Sequence, residues 1–148
     1  MKNSLEEIIK KKKDRVKVGN DNIVQDSWIM EEEEQLGFPF PKTYKEFIKK
    51  YEFIELGYDI MKIIAPPDFR EYADIDILYT YKVNIENEIL QENQVSILEN
   101  EEEIYYFLVQ DNIIDNEYSI YRKDFINNSD EFFAENFNEF LVLKIEEL

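Results

Sequence analysis

Residues 33–48 read EEQLGFPFPKTYKEFI and carry the strongest local signals in the chain. Gly37 can end a helix, because glycine takes the left-handed conformation at little steric cost. Phe38 begins an extended connector, since a residue that precedes proline is pushed away from helical backbone angles. Pro41 suits the first position of the next helix, where an amide hydrogen would have no intrahelical partner. The stretch therefore predicts two short helices joined by a proline elbow.

The sequence on either side of the elbow extends these two helices. Ser27 can cap the first helix, which is predicted over residues 28–36, with the acidic run at residues 31–34 on its exposed side. In the second helix, apolar side chains recur at three- and four-residue steps, as on a buried helix face. These side chains are Tyr44, Phe47, Ile48 and Tyr51.

The first residues of the chain predict a basic helix within residues 4–17. Ser4 and Glu7 have the spacing of a capping box, and a helix over residues 5–16 places its apolar residues on one face. Residues 1–17 hold seven basic and three acidic residues, a net charge of +4, whereas residues 18–148 hold ten basic and 31 acidic residues, a net charge of −21. The lysines at positions 10–13 could form a nucleic-acid or membrane patch, but a solvated helix face is the favoured interpretation.

Beyond residue 58 the pattern changes to short apolar runs broken by acids and asparagines. Strands are predicted over residues 58–64, 94–98, 104–109 and 118–122, with turn-like composition at residues 99–103 and 111–117. Residues 72–84 fit either a helix or a strand, and a helix is favoured around residues 75–83. Apolar spacing over residues 135–148 predicts a closing helix. This order predicts an α+β fold for one domain over residues 1–148, with N-terminal helices, a central mainly antiparallel sheet and a C-terminal helix.

Composition excludes several classes of function. The 148 residues include no histidine and no cysteine, so disulfides, thiolate nucleophiles and imidazole bases or ligands are ruled out. With 17 basic and 34 acidic residues, the formal net charge is −17. Such a field repels nucleic acid and anionic membranes and attracts a basic protein. The N-terminus lacks the unbroken apolar centre of a signal peptide, so a soluble, cytoplasmic protein is expected.

Two clusters of acids lie outside the predicted apolar faces and are candidate contact residues for a basic partner. The first follows Pro66-Pro67 and consists of Asp68, Glu71, Asp74 and Asp76. The second lies in a predicted turn between two strands and consists of Glu99, Glu101, Glu102 and Glu103. Tyrosine is favoured in interfaces, so Tyr72, Tyr79 and Tyr81 are candidate anchors. Because runs of charge also occur on merely solvated faces, both interpretations stay open for each cluster.

Paired carboxylates also raise the alternatives of acid/base catalysis or a divalent-metal site. The candidate pairs are Asp74 with Asp76 and Asp111 with Asp115. Residues 111–117 lack the alternating ligands and central glycine of a calcium loop. Serine and threonine have no histidine to activate them. The sequence therefore predicts no enzyme, no catalytic residue, no metal site and no cofactor.

The elbow resembles the signature of the SUKH superfamily, which is named partly after a yeast cell-wall assembly regulator. The signature positions are filled by Glu33, Leu36, Gly37, Phe40, Pro41, Tyr44, Phe47 and Ile48. Residues 93–97 with 105–108 resemble the central hairpin of the family, and residues 137–141 resemble its closing helix, so the resemblance covers about residues 27–142. The apolar signature residues are expected in the core. One departure is Glu52-Phe53, where members often carry Asn-Gly.

The resemblance implies a function in binding. Bacterial members are mostly immunity proteins that neutralise toxin domains, many of them nucleases, and they are not known as enzymes. The expected function is therefore that of an immunity protein that covers the basic cleft of a cognate toxin with the eight acids named above, without direct contact to nucleic acid or membrane. The alternative is a non-enzymatic regulatory or adaptor module that binds proteins, as the eukaryotic relatives suggest. The oligomeric state stays open.

Overall fold

The computed structural model of the protein describes residues 4–71, 74–110 and 115–148. The helices are α1 (Leu5–Lys11), α2 (Asp26–Leu36), α3 (Lys42–Tyr51), α4 (Ile77–Glu86) and α5 (Phe137–Glu146), with a 3-10 turn at Pro67–Phe69. The strands are β1 (Val16–Val18), β2 (Ile54–Leu56), β3 (Asp59–Ile60), β4 (Gln94–Glu99), β5 (Glu103–Leu108), β6 (Ser119–Asp124) and β7 (Ser129–Ala134). The predicted α+β fold, with an antiparallel sheet between N-terminal helices and a closing helix, is confirmed.

The strands form two antiparallel sheets. In the smaller sheet β2 lies between β1 and β3, and Val16 opposes Leu56. In the larger sheet β4 to β7 form a meander in sequence order. The two sheets are joined just after β3, where the Lys62 amide donates to the Ile97 carbonyl at 2.7 Å. Helix α5 packs on β6 and β7 and also against α3, which places the core between the meander and these helices.

The core is built around aromatic side chains. Tyr44 of α3 is fully buried, and its ring centroid lies 5.7 Å from that of Phe107 and 5.2 Å from that of Phe137. Its hydroxyl donates to the Lys62 carbonyl at 2.8 Å, which satisfies a polar group that water cannot reach. All five apolar signature residues are buried, which confirms that they serve the core; they are Leu36, Phe40, Tyr44, Phe47 and Ile48.

The proline elbow forms as predicted, with one difference at each helix start. Gly37 has φ of +87°, and its amide donates to the Glu33 carbonyl at 2.9 Å. Glu33 also spans the elbow, because its Oε2 accepts from the Phe40 amide at 2.7 Å. Pro41 precedes α3 as its cap and is not its first residue. The expected cap Ser27 lies inside α2, since Asp26 already occupies the first turn, where a carboxylate suits the helix dipole.

The predicted basic helix is too long. Ser4 accepts from the Glu7 amide at 3.2 Å, so the cap is confirmed, but α1 ends at Lys11 and not near residue 16 or 17. Val16 belongs to β1, because pairing with β2 satisfies its backbone and buries its side chain.

The later elements agree with the sequence except at the strand predicted over residues 58–64 and at β7, which was not predicted. The predicted strands over residues 94–98, 104–109 and 118–122 are confirmed as β4, β5 and β6, and the last two helices are α4 and α5. The strand predicted over residues 58–64 is wrong beyond Ile60. Beyond Ile60 the backbone makes isolated hydrogen bonds in place of strand pairing. The Ile63 amide, for example, donates to the Ile75 carbonyl at 2.8 Å.

Glu52, which stands where similar sequences often carry the Asn of an Asn-Gly pair, adopts a strained backbone conformation. Glu52 has φ of +67° and ψ of −56°, and the Phe53 amide donates to the Tyr51 carbonyl at 2.7 Å. This is a γ-turn of the strained hand, which a glycine adopts more readily than a glutamate. Gly19 packs directly against it, since a Cβ on Gly19 would lie 2.6 Å from the Tyr51 oxygen. The turn therefore keeps its tight geometry without the Asn-Gly pair.

Candidate protein-binding surface

The first acidic cluster borders a shallow groove beside α4. Asp68 in the 3-10 turn and Glu71 just after it are exposed, and they line a groove of about 620 Å³ together with Tyr79 and Glu86. Asp74 is also exposed. Carboxylates in a solvated groove keep their charge and can attract a basic side chain.

Asp76 is the exception in this cluster, and its predicted place in a contact surface is corrected. It is 0% exposed and caps α4. Its Oδ1 accepts from the Ala65 amide at 2.9 Å, and its Oδ2 accepts from the Tyr79 amide at 3.0 Å. The position before a helix explains this role, since aspartate is among the preferred N-cap residues. Asp76 is therefore a structural residue that a partner cannot reach.

Glu32 is a second buried carboxyl, although the sequence placed it on the exposed side of α2. It is 0% exposed, and its Oε1 accepts from the Leu78 amide at 3.2 Å. Burial first, then hydrogen bonding to Asp76 and the charge of Asp76, raise the pKa of Glu32 to about 10. Glu32 therefore holds a proton at neutral pH. The signal for its burial was available, since Ile29 and Leu36 lie three residues before it and four after it on the same helix face.

Arg70 closes this buried network. Its Nε lies 2.9 Å from Glu32 Oε2, and its Nη2 donates to the Trp28 carbonyl at 3.2 Å. A further ion pair joins its Nη1 to Glu31 Oε2 at 3.2 Å. Arg70 thus ties the segment after the 3-10 turn to α2, and the acids that it contacts hold the fold together.

The second acidic cluster divides into paired and solvated side chains. Glu99 Oε2 accepts from Asn84 Nδ2 at 2.8 Å, and Glu103 forms an ion pair with Arg122. Glu101 and Glu102, in the turn between β4 and β5, are exposed. The predicted turn is confirmed at residues 100–102, whereas Glu99 ends β4 and Glu103 begins β5, and Glu101 and Glu102 are the acids of this cluster that a partner can reach.

Lys62 brings the two clusters together at one point. Its Nζ lies 3.7 Å from Glu99 Oε1 and donates to the Asp74 carbonyl at 2.7 Å. Thr80 Oγ1 also donates to that carbonyl, at 3.2 Å. The loop before α4 and the end of β4 therefore sit side by side, so Asp74 and Glu99 are neighbours although 25 residues separate them in the sequence.

The three candidate aromatic anchors have different positions. Tyr79 is half-buried in the groove beside Asp68. Tyr81 donates to the Glu92 carbonyl at 2.7 Å, and its ring packs edge-on against Phe38 with centroids 6.0 Å apart, so it has a structural role. Tyr72 lies outside the described residues. Of the two candidate anchors that the structure describes, Tyr79 is therefore the one that lies in the groove with the exposed acids.

A metal site and a membrane-spanning helix are alternatives to a protein-binding surface. Within residues 4–71, 74–110 and 115–148, no three acidic side chains converge in a way that could hold a metal ion. In that same part of the chain, no helix has both the length and the apolar character needed to cross a membrane. Asp111 lies outside the described residues, and Asp115 occupies a turn with φ of +53°.

The fold is that of a small α+β domain in which the proline elbow builds part of the core and the acids divide between core and surface. A family model described as SMI1-KNR4 cell-wall, SUKH_5, matches residues 1–146. The chain therefore belongs to this SUKH family, and the match extends beyond the resemblance seen at residues 27–142. No curated protein matches the chain in sequence.

Proposed function

We propose that this protein is an immunity protein that binds and neutralises a cognate toxin domain, a nuclease, in the cytoplasm. Membership of the SUKH family supports an immunity role. The observation that carries the proposal is the formal net charge of −17 on a chain whose described surface holds solvated carboxylates in two neighbouring clusters.

The chemistry of a nuclease explains why an acidic partner would inhibit it. A nuclease holds its substrate through lysine and arginine side chains that contact phosphates. A surface of carboxylates can occupy the same cleft and is steered to it by the opposite charge. Steered association reaches on the order of 10⁸–10⁹ M⁻¹s⁻¹ at low salt. Fast capture protects the cell, because a free toxin acts until it is bound.

The acids proposed to contact the toxin follow from their exposure. They are Asp68, Glu71, Asp74, Glu101 and Glu102. We place Glu99 and Glu103 at the rim of this proposed contact surface, because Lys62 and Arg122 already neutralise part of their charge. Asp76 is left out because it is buried. No residue of this set is assigned a catalytic role, since blocking a cleft requires only contact.

Co-expression tests the proposal directly. The toxin domain encoded beside this gene is expressed in a bacterial host with and without the full chain, and growth is measured. The expected result is that the toxin alone arrests growth and the chain restores it, whereas a toxin domain from an unrelated locus is not relieved. Failure to restore growth, together with no heat of binding between the purified proteins, overturns the proposal. A gene that stands apart from any toxin gene, or is fused to other domains, favours the adaptor role.

A further inference from the structure

Two hairpin turns lie side by side at one end of the meander. One is the β4–β5 turn at residues 100–102, and the other is the β6–β7 turn at residues 125–128. The Phe125 amide donates to the Glu102 carbonyl at 3.0 Å, so the two turns are held in direct contact. We call these two turns together the hairpin-end surface.

Each turn is fixed by a side chain at its base. Asn100 Oδ1 accepts from the Glu102 amide at 2.9 Å and the Glu103 amide at 3.1 Å. In the second turn, Asp124 Oδ1 accepts from the Ile126 amide at 2.9 Å and the Asn127 amide at 3.1 Å. Hydrogen bonds from Asn127, first its side chain and then its backbone, lower the pKa of Asp124. The backbone of each turn is therefore held by hydrogen bonds to one side chain at its base.

Two of the four exposed side chains of the second turn are large and apolar. Phe125 is 46% exposed and Ile126 is 69% exposed. Their neighbour Asp124 and the backbone already specify the turn, so neither side chain is needed to form it. Single exposed apolar residues are common, but two adjacent ones on a tight turn leave a contiguous apolar patch in water. Such a patch is stabilised when a partner covers it.

The charge around this apolar pair is negative. Residues 99–103 and 122–131 contain seven acidic and two basic residues, a net charge of −5. Both cations are already paired: Arg122 contacts Glu103, and Lys123 Nζ lies 3.0 Å from Asp130 Oδ1. Glu101 and Glu102 stay exposed beside Phe125. The patch therefore combines an apolar centre with an acidic border.

We propose that the hairpin-end surface is the docking site for a basic protein surface that contains an apolar depression. Phe125 and Ile126 enter the depression, and Glu101 and Glu102 pair with lysine or arginine side chains at its border. This inference rests on the proposed function and identifies the part of the acidic surface that anchors the toxin. Binding energy concentrates in a few buried central side chains surrounded by a polar rim. Turns that are already fixed lose little conformational entropy on binding.

The test measures binding of the full chain to the toxin domain encoded beside its gene, by calorimetry. The double variant Phe125→Ala, Ile126→Ala is compared with the control Ile23→Ala, Met30→Ala, which removes two apolar side chains that are 42% and 66% exposed in the loop before α2 and on α2. The expected result is that the Kd rises about a hundredfold or more for the hairpin variant and less than about threefold for the control. Both variants should keep the wild-type thermal midpoint.

The outcomes separate this inference from the function on which it rests. If the wild type binds and the hairpin variant binds within threefold of it, the docking site is wrong and the immunity function stands. If the wild type does not bind, both are overturned. Ile126→Lys provides a second variant in case the double variant unfolds. It replaces the branched side chain with an aliphatic stem that ends in an ammonium group and should weaken binding at least tenfold, since a cation would enter an apolar depression in a basic surface.

Discussion

Two pairs of acids in this protein lie in opposite environments. Glu32 and Asp76 meet in the core between α2 and α4, where backbone amides and Arg70 surround them. Glu101 and Glu102 project into water from the β4–β5 turn. Both pairs come from acidic clusters of similar appearance in the sequence. The difference between them is the environment that the fold supplies.

This difference decides what each pair can do. Taking a carboxylate out of water is costly unless it is neutralised or hydrogen-bonded, so Glu32 holds a proton and Asp76 accepts hydrogen bonds from backbone amides. With Glu32 protonated, the folded protein carries one negative charge fewer at neutral pH than its formal −17. The exposed pair contributes to the field that a partner meets. A net charge counted from the sequence cannot separate these two roles.

The largest effect is expected from Asp76→Ala in the buried pair. The change leaves the Ala65 and Tyr79 amides without their acceptor and removes the cap of α4, so the free energy of unfolding should fall by about 2–4 kcal/mol. Urea unfolding measures it. Asp74→Ala, which removes an exposed carboxylate two residues away, should stay within about 0.5 kcal/mol of the wild type. Equal losses of unfolding free energy in the two variants would contradict the distinction between buried and exposed acids.

A smaller effect is expected when Glu32 is changed to glutamine, and it depends on pH. Between pH 4.5 and about 10, Glu32 holds a proton in the folded state but not in the unfolded state. Its contribution to stability is therefore full below pH 4.5 and declines as the pH rises. Glu32→Gln removes that decline, so the wild type should lose more stability than the variant between pH 6.5 and 8, by at most about 1.4 kcal/mol per pH unit. Parallel pH profiles would show that Glu32 is ionised.

The smallest effect on stability is expected for the exposed pair. Glu101→Gln with Glu102→Gln removes two solvated charges without touching Asn100, which holds the turn. The free energy of unfolding should change by no more than about 0.5 kcal/mol. Thermal unfolding at neutral pH checks this, and a loss above 1 kcal/mol would mean that the turn needs its acids to fold.

The elements that the sequence predicted are those with local signals. Helix periodicity and proline placement located α2, α3 and α5, and the acids at residues 99–103 marked the β4–β5 turn. Strands β1 and β2 were not predicted, because they have three residues each and pair across about 40 residues of chain. Strand β7 was also not predicted. Three successive side chains in it are exposed, so it lacks the alternation of buried and exposed residues that marks a strand.

The candidate surface was predictable only in part, for a related reason. Glu101 and Glu102 are exposed because a hairpin turn is exposed, which composition suggests. Asp76 and Glu32 are buried beside partners in distant segments, Ala65 and Leu78, and their local signals, a cap position and a helix-face spacing, did not separate them from neighbouring exposed acids. Phe125 gave no signal as a contact residue, because an apolar side chain in a sequence is expected to be buried.

The most direct test of the central claim is the rate at which the protein associates with the toxin domain encoded beside its gene, measured by stopped flow at about 50 mM and 500 mM salt. Glu101→Gln with Glu102→Gln is compared with Glu7→Gln and Glu34→Gln, two exposed acids on α1 and α2. If exposed acids at the hairpin-end surface steer binding, the wild-type rate should fall at least about tenfold at high salt. The hairpin variant should be several-fold slower than the control at low salt and equal to it at high salt. Equal rates for the two variants at low salt would contradict the account.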